Sequence, residues 1–297
     1  MSKNVLITGG TGLIGSELSK SLLNNKYNVA ILSRRKKAND IKSYYWNYEN
    51  NILDEKAIEF ADIIIHLAGE NISSKRWSDK QKQKINDSRI ETTNLLFRKI
   101  KNSKKKPQTF ISASAIGYYG TYTSDEIFTE NSKAGNDFLA KTVVRWEDSV
   151  DKIESLGLRV VKLRTGVVFS KNGGALPKMI KPIKMGLGSA IGTGKQYVPW
   201  IEISDLVRLF LFVLENQIPE SVFNAVSPNH ITNHELMKSL AKSLNKAFFL
   251  PKIPSFIMKL TFGEMSSILL EGSRVSSDKI QEAGFEFKYK SIQEIMK

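Results

Sequence analysis

The 297-residue chain contains no cysteine and only three histidines, His66, His230 and His234. The first absence excludes disulfides, thiolate nucleophiles and cysteine-bound zinc. The second leaves little for a histidine metal site. His230 and His234 are four apart, but they flank Ile231-Thr232-Asn233, which reads as a strand end running into a helix cap, without a third ligand. No bound metal is expected. No apolar run is long enough to span a bilayer. The N-terminus enters a strand at once, Asn4-Val5-Leu6-Ile7-Thr8, without the basic, apolar and small-residue succession of a secretory signal. A cytoplasmic protein without a membrane partner is the expectation. Acidic side chains are also scarce, 30 against 44 basic ones, for a net charge of +14. Such a balance attracts anions, nucleic acid among them. However, the lysines are scattered, and the densest run, Lys101 to Lys106, reads as a solvated loop before the strand Thr109-Phe110-Ile111. Without a zinc-finger or RNA-binding aromatic motif, no nucleic-acid partner is expected.

What is present is an alternation of short apolar runs and amphipathic stretches. Val5–Thr8, Asn28–Ser33, Ala61–Leu67, Thr109–Ser112 and Arg159–Leu163 read as strands. Leu13–Asn24, Lys80–Lys101 and Phe138–Ser155 read as helices between them. Runs that do not alternate suit parallel strands covered on both faces, and helices between them imply right-handed crossovers. The fold class predicted is α/β, a doubly wound parallel Rossmann sheet with a smaller C-terminal substrate lobe. Beyond Ser170 glycine, proline and lysine become frequent. Residues 1–170 are therefore assigned to the dinucleotide domain, with segments near 195–230 returning to it, and 171–297 to the lobe.

The first strand and helix enclose Thr8-Gly9-Gly10-Thr11-Gly12-Leu13-Ile14-Gly15. Gly9 permits the tight turn out of the strand, Gly12 lets backbone approach a pyrophosphate, and Gly15 lets the helix pack on the sheet. Backbone N–H groups of Thr11, Leu13 and Ile14 lie where the helix N-terminus offers donors to phosphates. After the second strand the chain reads Ser33-Arg34-Arg35-Lys36-Lys37, with no acid to accept from the ribose hydroxyls of NAD. Guanidinium geometry at Arg34 suits a 2′-phosphate, so NADP(H) is the expected cofactor.

Further landmarks follow in order. Ala61-Asp62-Ile63-Ile64-Ile65-His66-Leu67-Ala68-Gly69 resembles the fourth-strand motif of extended short-chain dehydrogenases/reductases. Ser112-Ala113-Ser114-Ala115 with Tyr118-Tyr119-Gly120 resembles the motif after the fifth strand. Gly192-Thr193-Gly194-Lys195-Gln196 and Trp200-Ile201-Glu202-Ile203-Ser204-Asp205-Leu206 resemble a later segment of sugar-nucleotide epimerases. More narrowly, the chain resembles an atypical epimerase-family branch with a characteristic C-terminal domain, here about 247–295. Arg76-Trp77-Ser78, Asp87-Ser88-Arg89-Ile90-Glu91-Thr92-Thr93, Gly173-Gly174-Ala175-Leu176, Leu270-Glu271-Gly272-Ser273-Arg274-Val275 and Ala283-Gly284-Phe285-Glu286-Phe287 carry that likeness. The resemblance implies NADP(H), with contacts from Ser33, Arg34, Leu67, Ala68, Gly69, Arg89, Ser112 and Val168. It leaves a homodimer through the long helices open.

Catalytic members of the wider family use a tyrosine and a lysine four positions later. None of the nine tyrosines has a lysine at that spacing, and anchoring on Glu147 puts Leu139 and Val143 in the two positions. Three readings stay open. Tyr118 or Tyr119, with Ser114 orienting the reacting oxygen, supplies the proton; an acid such as Glu202 contributes from the lobe; or the protein binds NADP(H) without turnover, as a regulator or interaction module. Arg274 and Arg76 are the further substrate candidates, Arg274 by likeness to arginines that hold substrate phosphate. The expected activity is hydride exchange with a small molecule, a carbonyl compound or nucleotide sugar.

Overall fold

The computed structural model describes residues 2–34, 41–216, 218–219 and 221–297. The chain begins β1 (Asn4–Thr8), α1 (Leu13–Asn24), β2 (Asn28–Ser33), β3 (Lys42–Asn47), β4 (Ile52–Leu53), α2 (Glu55–Phe60) and β5 (Ile63–His66). It continues through α3 (Asp79–Asn102), β6 (Thr109–Ala115), β7 (Ile127–Phe128), α4 (Phe138–Asp151), β8 (Arg159–Thr165), β9 (Val167–Ser170), β10 (Gly173–Gly174) and α5 (Ala175–Lys184). The remainder is β11 (Trp200–Glu202), α6 (Ile203–Glu215), β12 (Val222–Ala225), α7 (Asn233–Ser243) and α8 (Ser255–Phe262). It closes with α9 (Ser267–Leu270), β13 (Arg274–Val275), α10 (Asp278–Glu282) and α11 (Ile292–Met296).

The main sheet has the order β12-β8-β6-β5-β1-β2-β3-β4, parallel throughout except for the antiparallel edge pair β3–β4. Its strands are apolar at consecutive positions because both faces are covered. In β1, Val5 and Ile7 enter the layer under α1 and α6, with Leu18, Leu22, Leu206 and Phe210. Leu6 enters the opposite layer, with Ile58, Leu95, Trp146 and Val150. In β5, Ile63 and Ile65 divide from Ile64 in the same way. β1 lies between β2 and β5, so successive crossovers leave it in opposite directions. That reversal opens a crevice at the carboxyl ends of β1 and β5.

A second apolar cluster joins the three-stranded sheet β10-β9-β11 to α5, α7 and α11 through Phe169, Leu176, Trp200, Leu236, Leu240 and Ile292. Local chemistry sets the helix starts: Asp137 accepts from the Ala140 N–H at α4, and Thr232 and Glu235 form a reciprocal capping box at α7. Besides α11, the C-terminal chain is tied back at two further points. β13 pairs with β7, and Met265 packs with Trp77, Ile85 and Leu139. Among the described residues no helix is long and apolar enough to cross a membrane.

Candidate functional site

The glycine turn fills the crevice mouth with backbone alone. Gly9 has φ +68°, and a Cβ there would lie 2.9 Å from the Leu67 carbonyl oxygen. A Cβ on Gly15 would lie 2.3 Å from the Gly9 oxygen. Gly10 is as constrained, since its Cβ would meet Ile31 Cγ2 at 2.4 Å, a requirement set by the neighbouring strand and invisible in the motif. Gly12 and Thr11 are exposed, and an added Gly12 Cβ would touch only the Gly9 oxygen, at 3.3 Å. No side chain caps α1 and no acid stands in its first turn, so the N–H groups at its start keep their donor capacity. Leu13 reaches the other side of the mouth, where Cβ atoms on Gly173 and Gly174 would sit 3.3 and 3.1 Å from its methyls. Val168 on β9 is half-buried nearby, its carbonyl oxygen 3.5 Å from a Gly174 Cβ.

Arg34 follows β2 and is exposed; it makes no ion pair with any described residue. Ser33 beside it is buried. Arg35, Lys36 and Lys37 of the basic run lie outside the described residues.

The edge of β5 is locked to β1 by a buried relay. The Leu67 and Ala68 N–H groups each donate to Thr8 Oγ1 at 3.0 Å. That oxygen, having accepted twice, gives its own proton to His66 Nδ1 at 2.8 Å. The assignment leaves the His66 Nε2 hydrogen for Thr93 Oγ1 at 3.1 Å, and Thr93 in turn donates to the Arg89 carbonyl at 2.7 Å. Burial, with the Arg89 charge adding to it, pulls His66 down to about 3. Arg89 donates to the Ile85 and Glu70 carbonyls at 2.9 and 3.1 Å and lies 5.3 Å over the Trp146 ring. Its guanidinium carbon would sit 3.2 Å from a Gly69 Cβ. Burial lowers Arg89 to about 10 against the opposing Glu70 charge.

His66 makes stability depend on acid. Its folded pKa of about 3 is below the ordinary 6.5, so the stabilisation is complete above pH 6.5. It is lost as pH falls toward about 3, at up to roughly 1.4 kcal/mol per pH unit. In urea titrations, His66→Gln is expected to lower stability most at neutral pH, with the penalty shrinking as pH falls through this window. A penalty constant with pH would refute neutral burial.

At the end of β6 the sequence candidates meet a buried ion pair. Arg164 donates from Nε to Glu147 Oε1 at 2.9 Å and from NH2 to Oε2 at 2.8 Å. Ser114 Oγ donates to the same Oε1 at 2.5 Å. The Tyr119 hydroxyl donates to Asn224 Oδ1 at 2.7 Å and accepts from Arg164 at 3.1 Å. Burial pushes Tyr119 up to about 12, against the lowering effects of Arg164 and Asn224. Burial alone would lower Arg164, but hydrogen bonds and charge from Glu147, with Tyr119, hold it above its ordinary value. Tyr118 is half-buried with its ring 3.4 Å from the Arg164 guanidinium carbon, and its hydroxyl bonds to no described residue. Leu139 and Val143 are buried and face the 116–119 turn, with Leu139 Cβ 3.5 Å and Val143 Cγ2 3.7 Å from a Gly117 Cβ. Ser112 is fully buried and donates to the Ala113 carbonyl at 2.8 Å.

The three substrate-side candidates stand apart from one another. Glu202 caps α6, one carboxylate oxygen accepting from the Ser204 N–H at 2.6 Å. Arg274 donates to the Asp125 carbonyl and lies 5.4 Å over the Tyr197 ring, its buried Nε without a partner among the described residues. Exposed Arg76 would stand 3.0 Å from a Gly263 Cβ. No described hydrogen bond or ion pair joins any two of the three. His230 Nε2 is 3.1 Å from the Val275 carbonyl, and His234 packs edge-on to Phe248. Sequence reasoning missed Glu147 and Arg164 as a pair. Their signal was a carboxylate on the apolar stripe of α4 and an arginine near the end of β8, a strand that also carries Arg159 and Lys162.

The model of the NAD dependent epimerase/dehydratase family matches residues 5–225, and a domain of unknown function (DUF1731) matches residues 253–297. Over 304 aligned residues the chain is 38% identical to epimerase family protein SSP1921 of Staphylococcus saprophyticus, covering 98% of this chain and 97% of that one. It is 36% identical over 293 residues to epimerase family protein YfhF of Bacillus subtilis, covering 98% and 95%. A crystal structure of human epimerase family protein SDR39U1 (isoform 2) with NADPH is similar at a TM-score of 0.85 and 29% identity. That match covers 99% of this chain and 97% of the human one.

Proposed function

Because this chain belongs to the NAD dependent epimerase/dehydratase family, we propose that its glycine loop holds NADP(H) and that it exchanges hydride with a small oxygenated substrate. The substrate class is a carbonyl compound or nucleotide sugar. The fit of the mouth carries this reading: Cβ atoms on Gly9 and Gly15 would close it, and the uncapped helix behind it has no acid in its first turn. The NADPH in the SDR39U1 structure supports the phosphorylated form. Thr11, Gly12, Leu13 and Ile14 hold the pyrophosphate, and Leu67, Ala68, Gly69 and Arg89 border the β5 side. Ser33 and Arg34 take the 2′-phosphate, and Val168 lines the far wall, while Ser112, expected as a contact, is fully buried and stands behind the surface. When bound, the nicotinamide supplies the hydride donor or acceptor.

The chain's own groups do the rest. Ser114, its proton committed to Glu147, offers lone pairs to a substrate hydroxyl and orients it. Tyr118 rather than Tyr119 is the proton donor, since the Tyr119 hydroxyl is engaged on both sides. Glu202 and Arg274 serve the substrate side from a lobe of residues 171–297 set against the 1–170 unit, and Arg76 serves it from that unit's own loop between β5 and α3. A second reading, binding without turnover, draws its support from Leu139 and Val143, which can exchange no proton.

Calorimetry is expected to show that Arg34→Asp weakens NADPH at least about tenfold while barely changing NADH. Equal loss for both would sink the NADP(H) assignment. NADPH oxidation across a panel of carbonyl compounds and nucleotide sugars separates the two readings. Turnover reduced about a hundredfold or more by Tyr118→Phe supports the enzyme. Tight binding without turnover supports the second reading.

A further inference from the structure

The C-terminal lobe carries an outward apolar face that no part of the described chain covers. Among the described residues its large side chains are the most exposed: Leu260 77%, Phe249 76%, Phe256 69%, Met185 66% and Leu187 55%. In a monomer, apolar exposure concentrated in one region marks an interaction surface. α8 explains the arrangement. Phe256, Ile257 and Leu260 fall on one arc of the helix, Lys259 flanks them, and Met258 points the opposite way into the protein. Hydrogen bonds tie the 185–192 segment alongside the one leading into α8. Ile253 N–H donates to Ala190 O and Gly192 N–H to Ile253 O, each at 2.8 Å.

Charge identifies the occupant. Residues 171–201 contain five lysines and residues 236–262 another five, and neither stretch contains an aspartate or glutamate. All ten are exposed, and none makes an ion pair among the described residues. A hollow of about 360 Å3 opens among Lys238, Lys252, His234 and Phe249. Apolar side chains protruding between lysines whose charges have no acidic partner among the described residues fit a surface that is anionic outside and apolar just beneath, although Lys252 also donates to the Thr193 carbonyl at 2.6 Å. A second copy would bring lysines against lysines. A nucleic acid would offer nothing to Leu260, Met185 and Leu187.

We propose that this face of the lobe, centred on α8, docks peripherally on an anionic lipid bilayer, with Phe249, Phe256 and Leu260 entering the headgroup boundary and the lysines meeting lipid phosphates.

Co-sedimentation with vesicles tests it. The full chain is expected to pellet with phosphatidylcholine vesicles containing about 30% phosphatidylserine, and to stay in solution with phosphatidylcholine alone or at high salt. Phe256→Asp/Leu260→Asp and Lys252→Glu/Lys259→Glu are each expected to lower binding at least about tenfold. All four positions are exposed, and an unchanged thermal melt confirms that each variant folds. Failure of the wild-type chain to pellet overturns the proposal. So does undiminished vesicle binding by the folded Phe256→Asp/Leu260→Asp variant, which would make the contact purely electrostatic. A wild-type dimer that this variant converts to monomer also overturns it, by assigning the face to a second copy.

Discussion

Replacing Glu147 with glutamine is expected to destabilise the protein by about 3–5 kcal/mol in urea titrations, the usual cost of stranding a buried charge. The Glu147 and Arg164 side chains are 7% and 5% exposed, so solvent cannot take over the missing partner. The amide keeps the shape and can still accept, but it loses the charge that two guanidinium hydrogen bonds and Ser114 address. Arg164→Met should do similar damage from the other side, leaving a carboxylate held by Ser114 alone. The double variant Glu147→Leu/Arg164→Met separates a pairing effect from general disruption. Its loss should fall well short of the sum of the single losses, because neither charge is then buried alone. Strict additivity would show that the two residues do not act as a pair. Tyr118 and Tyr119 both lean on this arginine, so the folded Arg164→Met variant should also displace the 116–119 turn.

Gly15→Ala is expected to remove dinucleotide binding and to lower stability by about 1–3 kcal/mol, as overpacking does. The new methyl would stand 2.3 Å from the Gly9 oxygen and 2.7 Å from Gly10 Cα, both backbone atoms of the turn that must receive the pyrophosphate. Neither can retreat freely. Gly9 already approaches Leu67, and Gly10 is held against Ile31. Gly12→Ala is the informative contrast. Its methyl meets only one oxygen at 3.3 Å and otherwise faces outward. The fold should lose no more than about 0.5 kcal/mol, while NADPH binding still falls at least tenfold because the methyl occupies the approach to the phosphates. Calorimetry and thermal melting on the two variants distinguish them. Full NADPH affinity in folded Gly12→Ala would remove the proposed site from this turn.

Which parts of this molecule could be read in the chain depends on the range of the physics involved. α1 occupies Leu13–Asn24 and β2 Asn28–Ser33, as periodicity and the flanking glycines predict. β6 and β8 run beyond their expected ends, to Ala115 and Thr165, because each supplies the other's hydrogen-bond partners over seven registered pairs. β3 was not legible. Lys42-Ser43-Tyr44-Tyr45-Trp46-Asn47 has strand composition, but the parallel partner that makes it a strand is β2. The apolar stretch Pro254–Leu270 forms two helices, α8 and α9, rather than one, since Gly263 at φ +60° interrupts it where Arg76 comes close, a break that the sequence pattern does not show. At the site, the glycine turn was legible because its demands are local. Ser114 could be named, but its partners could not: Glu147 is 33 residues away and Arg164 a further 17. The inward commitment of the Tyr119 hydroxyl was equally hidden, since Asn224 lies 105 residues on.

The return of the C-terminal chain to the main body bears on modularity. Two family segments meet in this molecule, 5–225 and 253–297, and the boundary between them suggests separable modules. Their packing says otherwise. Met265 completes the cluster around Trp77 and Leu139, Val275 sits with Tyr119 and Phe128, and Ile292 and Ile295 close the cluster of Phe169 and Trp200. Each of these contacts takes one apolar wall from either side of the boundary. The second segment therefore shares these apolar contacts with the first and would lose them if it were expressed as a separate unit. Its sequence is free to drift only as fast as the three pockets that receive it.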